Sequence, residues 1–202
     1  MGRIRRKDIL YAGCYAHVIS RSIRKLRLFN DAEDFNLFKD FLIRAKTKAS
    51  FQIFHYCFMQ THFHLAVKMG DPNDFSLGIR DVKRSYAYKF HSKYKLSGPI
   101  WRERFKALLI ENEEYLYACG RYIEENPVKA QIVKQNTDWK YSSSRHYELN
   151  ENDPLINYYG DDFKVSKKLS VDEESFEKGS VIGSDFFRFQ FFDSRRRARP
   201  GT

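Results

Sequence analysis

Phe51-Gln52-Ile53-Phe54-His55-Tyr56-Cys57-Phe58-Met59-Gln60-Thr61-His62-Phe63-His64-Leu65-Ala66-Val67 is the stretch on which the fold turns. Phe51 to Phe58 and Phe63 to Val67 are dense in aromatic and branched residues, and the polar pair Gln60-Thr61 interrupts them. That pattern predicts two strands joined by a tight connection. The uncharged run from Ala49 to Val67 contains Gln52, His55, Gln60, Thr61, His62 and His64, which excludes a membrane span.

Working outward, Gly13 to Ile19 is short and rich in β-formers, which predicts a strand. Asp31 then caps a helix whose apolar positions are Phe35, Phe38, Phe41, Leu42, Ala45 and Ala49. Downstream, Asp74 or Ser76 opens a second helix with Ile79, Val82, Tyr86 and Phe90 inside and Arg80, Lys83, Arg84, Lys89 and Lys93 outside. Trp101 to Ile110 reads as a fourth strand, and Glu113 to Glu125 as a third helix that Pro127 ends. The order β-α-β-β-α-β followed by a helix is that of an α+β, ferredoxin-like split βαβ fold: an antiparallel sheet with two helices on one face.

The 202 residues carry 36 Lys and Arg against 26 Asp and Glu, a net charge of +10. Hydrophobic residues at 42% exclude a wholly disordered chain. Cys14, Cys57 and Cys119 form neither a disulfide framework nor a CxxC zinc site, and they read as small hydrophobes of a reducing compartment. The N-terminus lacks the pattern of a signal peptide. Residues 1–150 hold 27 basic and 16 acidic side chains, whereas 151–193 hold five and ten. Arg195, Arg196, Arg197 and Arg199 follow. The chain divides into a basic domain, 1–150, and an appendix, 151–202, with an acidic segment and an arginine-rich tail.

His62-Phe63-His64 carries the chemistry. Residues two apart on a strand share a face, so both imidazoles project together and can hold one divalent metal. The plainer alternative is a pair of hydrogen-bonded histidines on a half-buried sheet. A two-imidazole site needs a further ligand and keeps open positions, as catalysis requires. Tyr122 and Asn126 lie four apart on the third helix and share a face. A tyrosine beside a metal-bound phosphodiester can act as nucleophile, and Asn126 can add an amide oxygen. Equally, Asn126-Pro127 has the form of an N-cap followed by proline at the first helical position. His17 and His55 are expected to pack or hydrogen-bond, and His91 and His146 to face solvent.

Polyanions are the expected partners of such a charge distribution. Arg21, Arg24, Lys25 and Arg27 after the first strand, Arg80, Lys83 and Arg84 on the second helix, and Arg102, Arg104 and Lys106 on the fourth strand suit a phosphate-binding track. Tyr86, Tyr88, Phe90 and Trp101 interleave with these cations, and Tyr88 and Trp101 are the expected exposed pair for base stacking. The tail arginines suit phosphate contact, or serve solubility alone.

These motifs together resemble the REP-associated tyrosine transposases, relatives of the single-strand insertion-sequence transposases of the HUH class. The matching stretches are Tyr15-Ala16-His17-Val18-Ile19-Ser20-Arg21 and Cys57-Phe58-Met59-Gln60-Thr61-His62-Phe63-His64-Leu65. Trp101-Arg102-Glu103-Arg104-Phe105-Lys106 and Arg121-Tyr122-Ile123-Glu124-Glu125-Asn126-Pro127-Val128-Lys129-Ala130 follow, then Trp139 to Tyr147 and the arginine-rich end. The resemblance implies a DNA transposase that cleaves and rejoins single-stranded, hairpin-containing DNA such as REP elements. Its cofactor would be Mg2+ or Mn2+ on His62, His64 and Asn126, and its intermediate a 5′-phosphotyrosine at Tyr122. It further implies a bacterial cytoplasmic, nucleoid-associated protein, monomeric or homodimeric, with no membrane partner. Gln60-Thr61 stands where that family usually has Pro-Asn. The alternative function is a catalytically inactive binder of structured REP-like DNA with the same descent. An HUH nuclease of replication or conjugation, and an RNA-binding ferredoxin-like domain, match fewer of these motifs.

Overall fold

The computed structural model describes residues 9–157, 181–184 and 187. Strand β1 (Tyr15–Arg21) leads through a 3-10 turn to helix α1 (Ala32–Lys48), where the Asp31 carboxylate accepts from the Asp34 amide as N-cap. Strands β2 (Gln52–Met59) and β3 (His62–Lys68) form the expected hairpin around Gln60-Thr61. Helix α2 (Pro72–Tyr94) starts earlier than the sequence suggests. Asp71, rather than Asp74 or Ser76, caps it, with Pro72 at the first helical position. Strand β4 is confined to Lys106–Ile110; Trp101 contributes only an isolated bridge to Ser22. Helix α3 (Glu113–Glu124) is capped by Asn112 and ends just before Pro127, as expected; Pro127 then sits in the first turn of a short α4 (Asn126–Lys129). A helix α5 (Ser144–Leu149) and a two-residue strand β5 (Val181–Ile182) follow.

The sheet order is β2-β3-β1-β4-β5, antiparallel until β5 pairs in parallel with β4. This is the split βαβ architecture. Period-2 alternation divides the sheet's side chains between two cores. Phe63, Leu65 and Val67 of β3 pack with Phe38 and Leu42 of α1 and with Ile79, Val82, Tyr86 and Phe90 of α2. On the opposite face Cys57, Met59, Ala66, Leu108 and Ile110 pack with Leu116, Cys119 and Ile123 of α3. All three cysteines are free and buried. A register shift between Ile53 and His55 breaks the alternation of β2 and places Phe54 and His55 together on the α3 side.

Both sheet edges are covered. Along β2, Phe58 N–H donates to Tyr141 O, Ser143 N–H to Tyr56 O, and Trp139 Nε1–H to Phe58 O. Along β4, the cover is β5, drawn from the segment beyond residue 150. Leu155 of that segment is also fully buried in the larger core. No described helix is long and apolar enough to cross a membrane.

Candidate active site

Strand register sets which side chains meet. His64 pairs with Cys57 and Ile19, His62 with Met59 and Arg21, and Ala66 with His17. Directly paired residues share a face, so His17, His62 and His64 all project towards the side that α3 covers. His17 Nε2 lies 2.8 Å from His64 Nδ1, with the two rings parallel within 2°. The His62 and His64 ring centroids are 5.0 Å apart, and His62 Nδ1 lies 3.0 Å from Thr61 Oγ1. His64 Nε2 is buried and has no hydrogen-bond partner among the described residues.

Burial, with a smaller contribution from the Arg21 guanidinium, lowers His17 to about 3 and His62 to about 4. Burial foremost, then its two neighbouring imidazoles, drives His64 well below its usual range. All three rings are therefore neutral at neutral pH, the form that ligates metals. The folded state excludes protons that the unfolded chain takes up near pH 6.5, so this stability is complete above that pH and is lost as pH falls. Urea unfolding of metal-free protein should show stability dropping from about pH 7 to about pH 5, above the carboxylate range. A flat profile there would mean that the rings are not held neutral.

Helix α3, which carries Tyr122 and leads into Asn126 of α4, packs on this same side of the sheet. Tyr122 is half-buried, with Lys129 Nζ 3.8 Å from its ring centroid. Asn126 is not the N-cap that its sequence position suggests: Glu125 occupies that place and no side chain caps α4. Instead Asn126 Nδ2 donates to Tyr122 O at 3.1 Å and Ile123 O at 2.9 Å, closing the C-terminal turn of α3. Oδ1 remains as the amide's acceptor.

The same turn is anchored by a network that sequence reasoning missed. His55 Nδ1 lies 2.8 Å from Glu124 Oε1, and Ser143 Oγ donates to that same oxygen at 2.5 Å. Ser143 Oγ also accepts from Tyr56 N–H, so α3, β2 and the Trp139–Tyr147 region meet at one buried carboxylate. Gly120 makes this approach possible, since a Cβ there would stand 2.2 Å from His55 Cδ2. The detectable signal was a lone glycine inside an amphipathic helix.

Of the predicted cations, Arg21, Arg24, Lys25 and Arg102 line one cavity of about 510 Å³ together with Ser22, Ile23, Thr61 and His62. Its walls are tied by Ser22 N–H to Thr61 O, Ile23 N–H to Ile100 O and Arg102 N–H to Arg21 O. Arg24 and Lys25 both adopt positive φ, 48° and 58°, a conformation costing about 1–2 kcal/mol per non-glycine residue. Strain of this kind gathers at functional sites. Arg27, Arg104 and Lys106 are exposed but do not line the cavity.

The α2 cations do not continue this track, because α2 packs on the opposite sheet face. Arg80 and Arg84 pair with Asp81 at the surface. Lys83 is buried, not on an outer face: its ammonium donates to Glu103 O and lies 4.9 Å from the Trp101 ring centroid. Trp101 is accordingly no stacking platform. It packs against Phe38, Phe63 and Tyr86 and donates to Lys83 O, while Tyr88 is 74% exposed. His91 and His146 are half-buried rather than solvent-facing. Arg195, Arg196, Arg197 and Arg199 lie outside the described residues.

Among the described residues no group of three or more His, Cys, Asp or Glu side chains is arranged to hold a metal. The donors available are the two imidazoles of the HxH pair and an amide oxygen. They fit a divalent cation that shares its coordination with substrate oxygens: the partnerless, buried His64 Nε2 is what such an ion would satisfy. Imidazole nitrogens suit Mn2+ better than Mg2+, which favours oxygen ligands.

Three comparisons with known proteins bear on the family of the chain. The REP-associated tyrosine transposase of Escherichia coli (strain K12) is 25% identical over 168 residues, covering 81% of this chain and 96% of that protein. A solved structure of a REP-associated tyrosine transposase bound to a REP hairpin superposes with a TM-score of 0.61 at 23% identity, covering 84% of this chain and 99% of that one. A crystal structure of a transposase-like protein from Deinococcus radiodurans R1 gives 0.40 at 20% identity, over 62% of this chain and 97% of that one. The family model of the IS200-like transposases matches residues 11–126, more than half of the chain, so the chain belongs to the IS200-like transposase family.

Proposed function

We propose that this protein cleaves and rejoins single-stranded, hairpin-containing DNA, with Tyr122 as nucleophile and a divalent metal held by His62, His64 and Asn126. The observation that carries the reading is the face shared by the neutral imidazoles and α3, beside a cavity whose described lining holds four cations and no acid. The hairpin in the solved relative supports the choice of substrate.

The cation, when bound, polarises the scissile phosphate and offsets charge that develops there. Arg21, Arg24, Lys25 and Arg102 hold the flanking phosphates. The Tyr122 oxygen bonds to phosphorus as the P–O3′ bond breaks; the phenol gives up its proton and the departing 3′ oxygen gains one. The product is a 5′-phosphotyrosine and a free 3′-hydroxyl. Because the phosphoester is conserved in the protein-bound form, the reverse attack by a 3′-hydroxyl rejoins the strand without nucleotide hydrolysis. The Lys129 ammonium lies over the Tyr122 ring, 3.8 Å from its centroid, and so helps to hold the ring in place.

The test uses labelled single-stranded hairpin DNA with Mn2+, followed on denaturing gels. A covalent protein–DNA band that EDTA abolishes is expected. Tight hairpin binding without any band under all metals would identify an inactive binder instead. Binding should also depend steeply on salt, and Arg102→Ala should flatten the slope of log K against log[salt] by roughly 0.7, one phosphate contact to a single strand. An unchanged slope in filter-binding titrations would remove Arg102 from the DNA contact.

A further inference from the structure

Each imidazole of the HxH pair has its Nδ1 beside another side chain. His64 Nδ1 faces His17 Nε2 at 2.8 Å, and His62 Nδ1 faces Thr61 Oγ1 at 3.0 Å. A neutral imidazole has one N–H and one lone pair, and the hydrogen bond made by one nitrogen decides what the other offers. The proton between the two rings lies either on His17 Nε2 or on His64 Nδ1. The first puts His64's own proton on its buried Nε2, and the second puts His17's own proton on its buried Nδ1. A cation that needs the His64 Nε2 lone pair selects the second. A proton on Nδ1 is donated to His17, which frees the Nε2 lone pair. The same choice at His62 sends its proton to the threonine hydroxyl.

We propose that His17 and Thr61 are positioning residues that hold His64 and His62 in the Nδ1–H tautomer, so that both rings offer Nε2 to one divalent cation. This rests on the metal-site reading above. Both partners are fixed by the backbone. His17 sits on β1 opposite Ala66, one pleat from His64, with a ring nearly coplanar to its neighbour's. Thr61 belongs to the β2–β3 turn, whose carbonyls accept from Ser22 N–H and Leu28 N–H. The turn therefore joins the wall of the cation-lined cavity to the orientation of His62. A ligand held this way loses no ring rotation on binding metal, and its donor nitrogen gains basicity.

Long-range 1H–15N spectra of metal-free wild-type protein report the tautomer of each ring directly. Protonation at Nδ1 of both His62 and His64 is expected, and a proton on Nε2 of either overturns the proposal for that ring. Mn2+ titration followed by water-proton relaxation supplies the second readout. His17→Phe and Thr61→Val should each weaken Mn2+ binding by roughly 10–100-fold. His17→Gln and Thr61→Ser, which keep an acceptor oxygen, should recover most of the loss. Phe and Val variants that melt like wild type and bind Mn2+ equally well refute a positioning role. Should His17→Phe fail to fold, the wild-type spectrum and the Thr61 pair still decide. Absence of Mn2+ binding by wild type would overturn the metal site itself, and the spectrum would still report the tautomers.

Discussion

Tyr122→Phe should lower covalent capture of single-stranded DNA by at least about a thousandfold, the scale on which loss of a catalytic nucleophile is felt. Stability should change by less than about 1 kcal/mol, since only a hydroxyl is removed. The phenyl ring keeps its place under Lys129 Nζ, so that cation–π contact survives. Hairpin binding should likewise persist, because the cavity cations lie on other elements. Denaturing gels, thermal melting and a binding isotherm on one preparation separate the three effects. Undiminished capture would shift the nucleophile to Tyr115, two turns earlier on α3 and half-buried against the same core.

Gly120→Ala should be strongly destabilising. The new Cβ would overlap His55 Cγ, Cδ2 and Nε2 at 2.2–2.3 Å, and His55 is only 1% exposed and bonded to Glu124. Either α3 lifts from the sheet or the imidazole abandons a buried carboxylate. Overpacking costs about 1–3 kcal/mol and breaking a buried ionisable pair about 3–5, so a loss of roughly 3 kcal/mol or more is expected. That is a large share of the roughly 5–15 kcal/mol of a typical domain. Urea unfolding measures it, and a cycle with His55→Ala checks the cause: the double variant should be less destabilised than the two single losses combined. Strict additivity would place the clash elsewhere. Covalent capture should fall in parallel, because the displaced turn carries Tyr122.

The hairpin and the HxH pair were legible because strand alternation is a local rule, as the split of β3 between two cores bears out. The position of His17 was legible in principle: the split βαβ order sets the first strand beside the third. What failed needed tertiary knowledge. Lys83 sits at the margin of a helical face, and only the fold-over of residues 100–105 makes it a buried donor to Glu103 O. The phosphate track was assembled from charges without knowing which face each helix covers, so it joined Arg80 and Arg84 to a cavity on the other side. The sequence offers Asn126 two roles, ligand and N-cap. The backward reach of its amide to two C-terminal carbonyls of α3 depends on how sharply α4 turns away.

The closed edges of the sheet bear on the order in which the chain is made. Every motif of the proposed site lies at or before residue 126, so it leaves the ribosome ahead of the segments that cover the β2 and β4 edges. The first edge is sealed by Trp139 to Ser143 and the second only by Val181 and Ile182. During that interval the nascent domain holds its histidines in a sheet that any other strand can extend. A premature stop between codons 158 and 180 would freeze this stage permanently, with β2 covered and β4 without β5. Such a product would reach the cell as a seed for aggregation before it could act as a shortened enzyme.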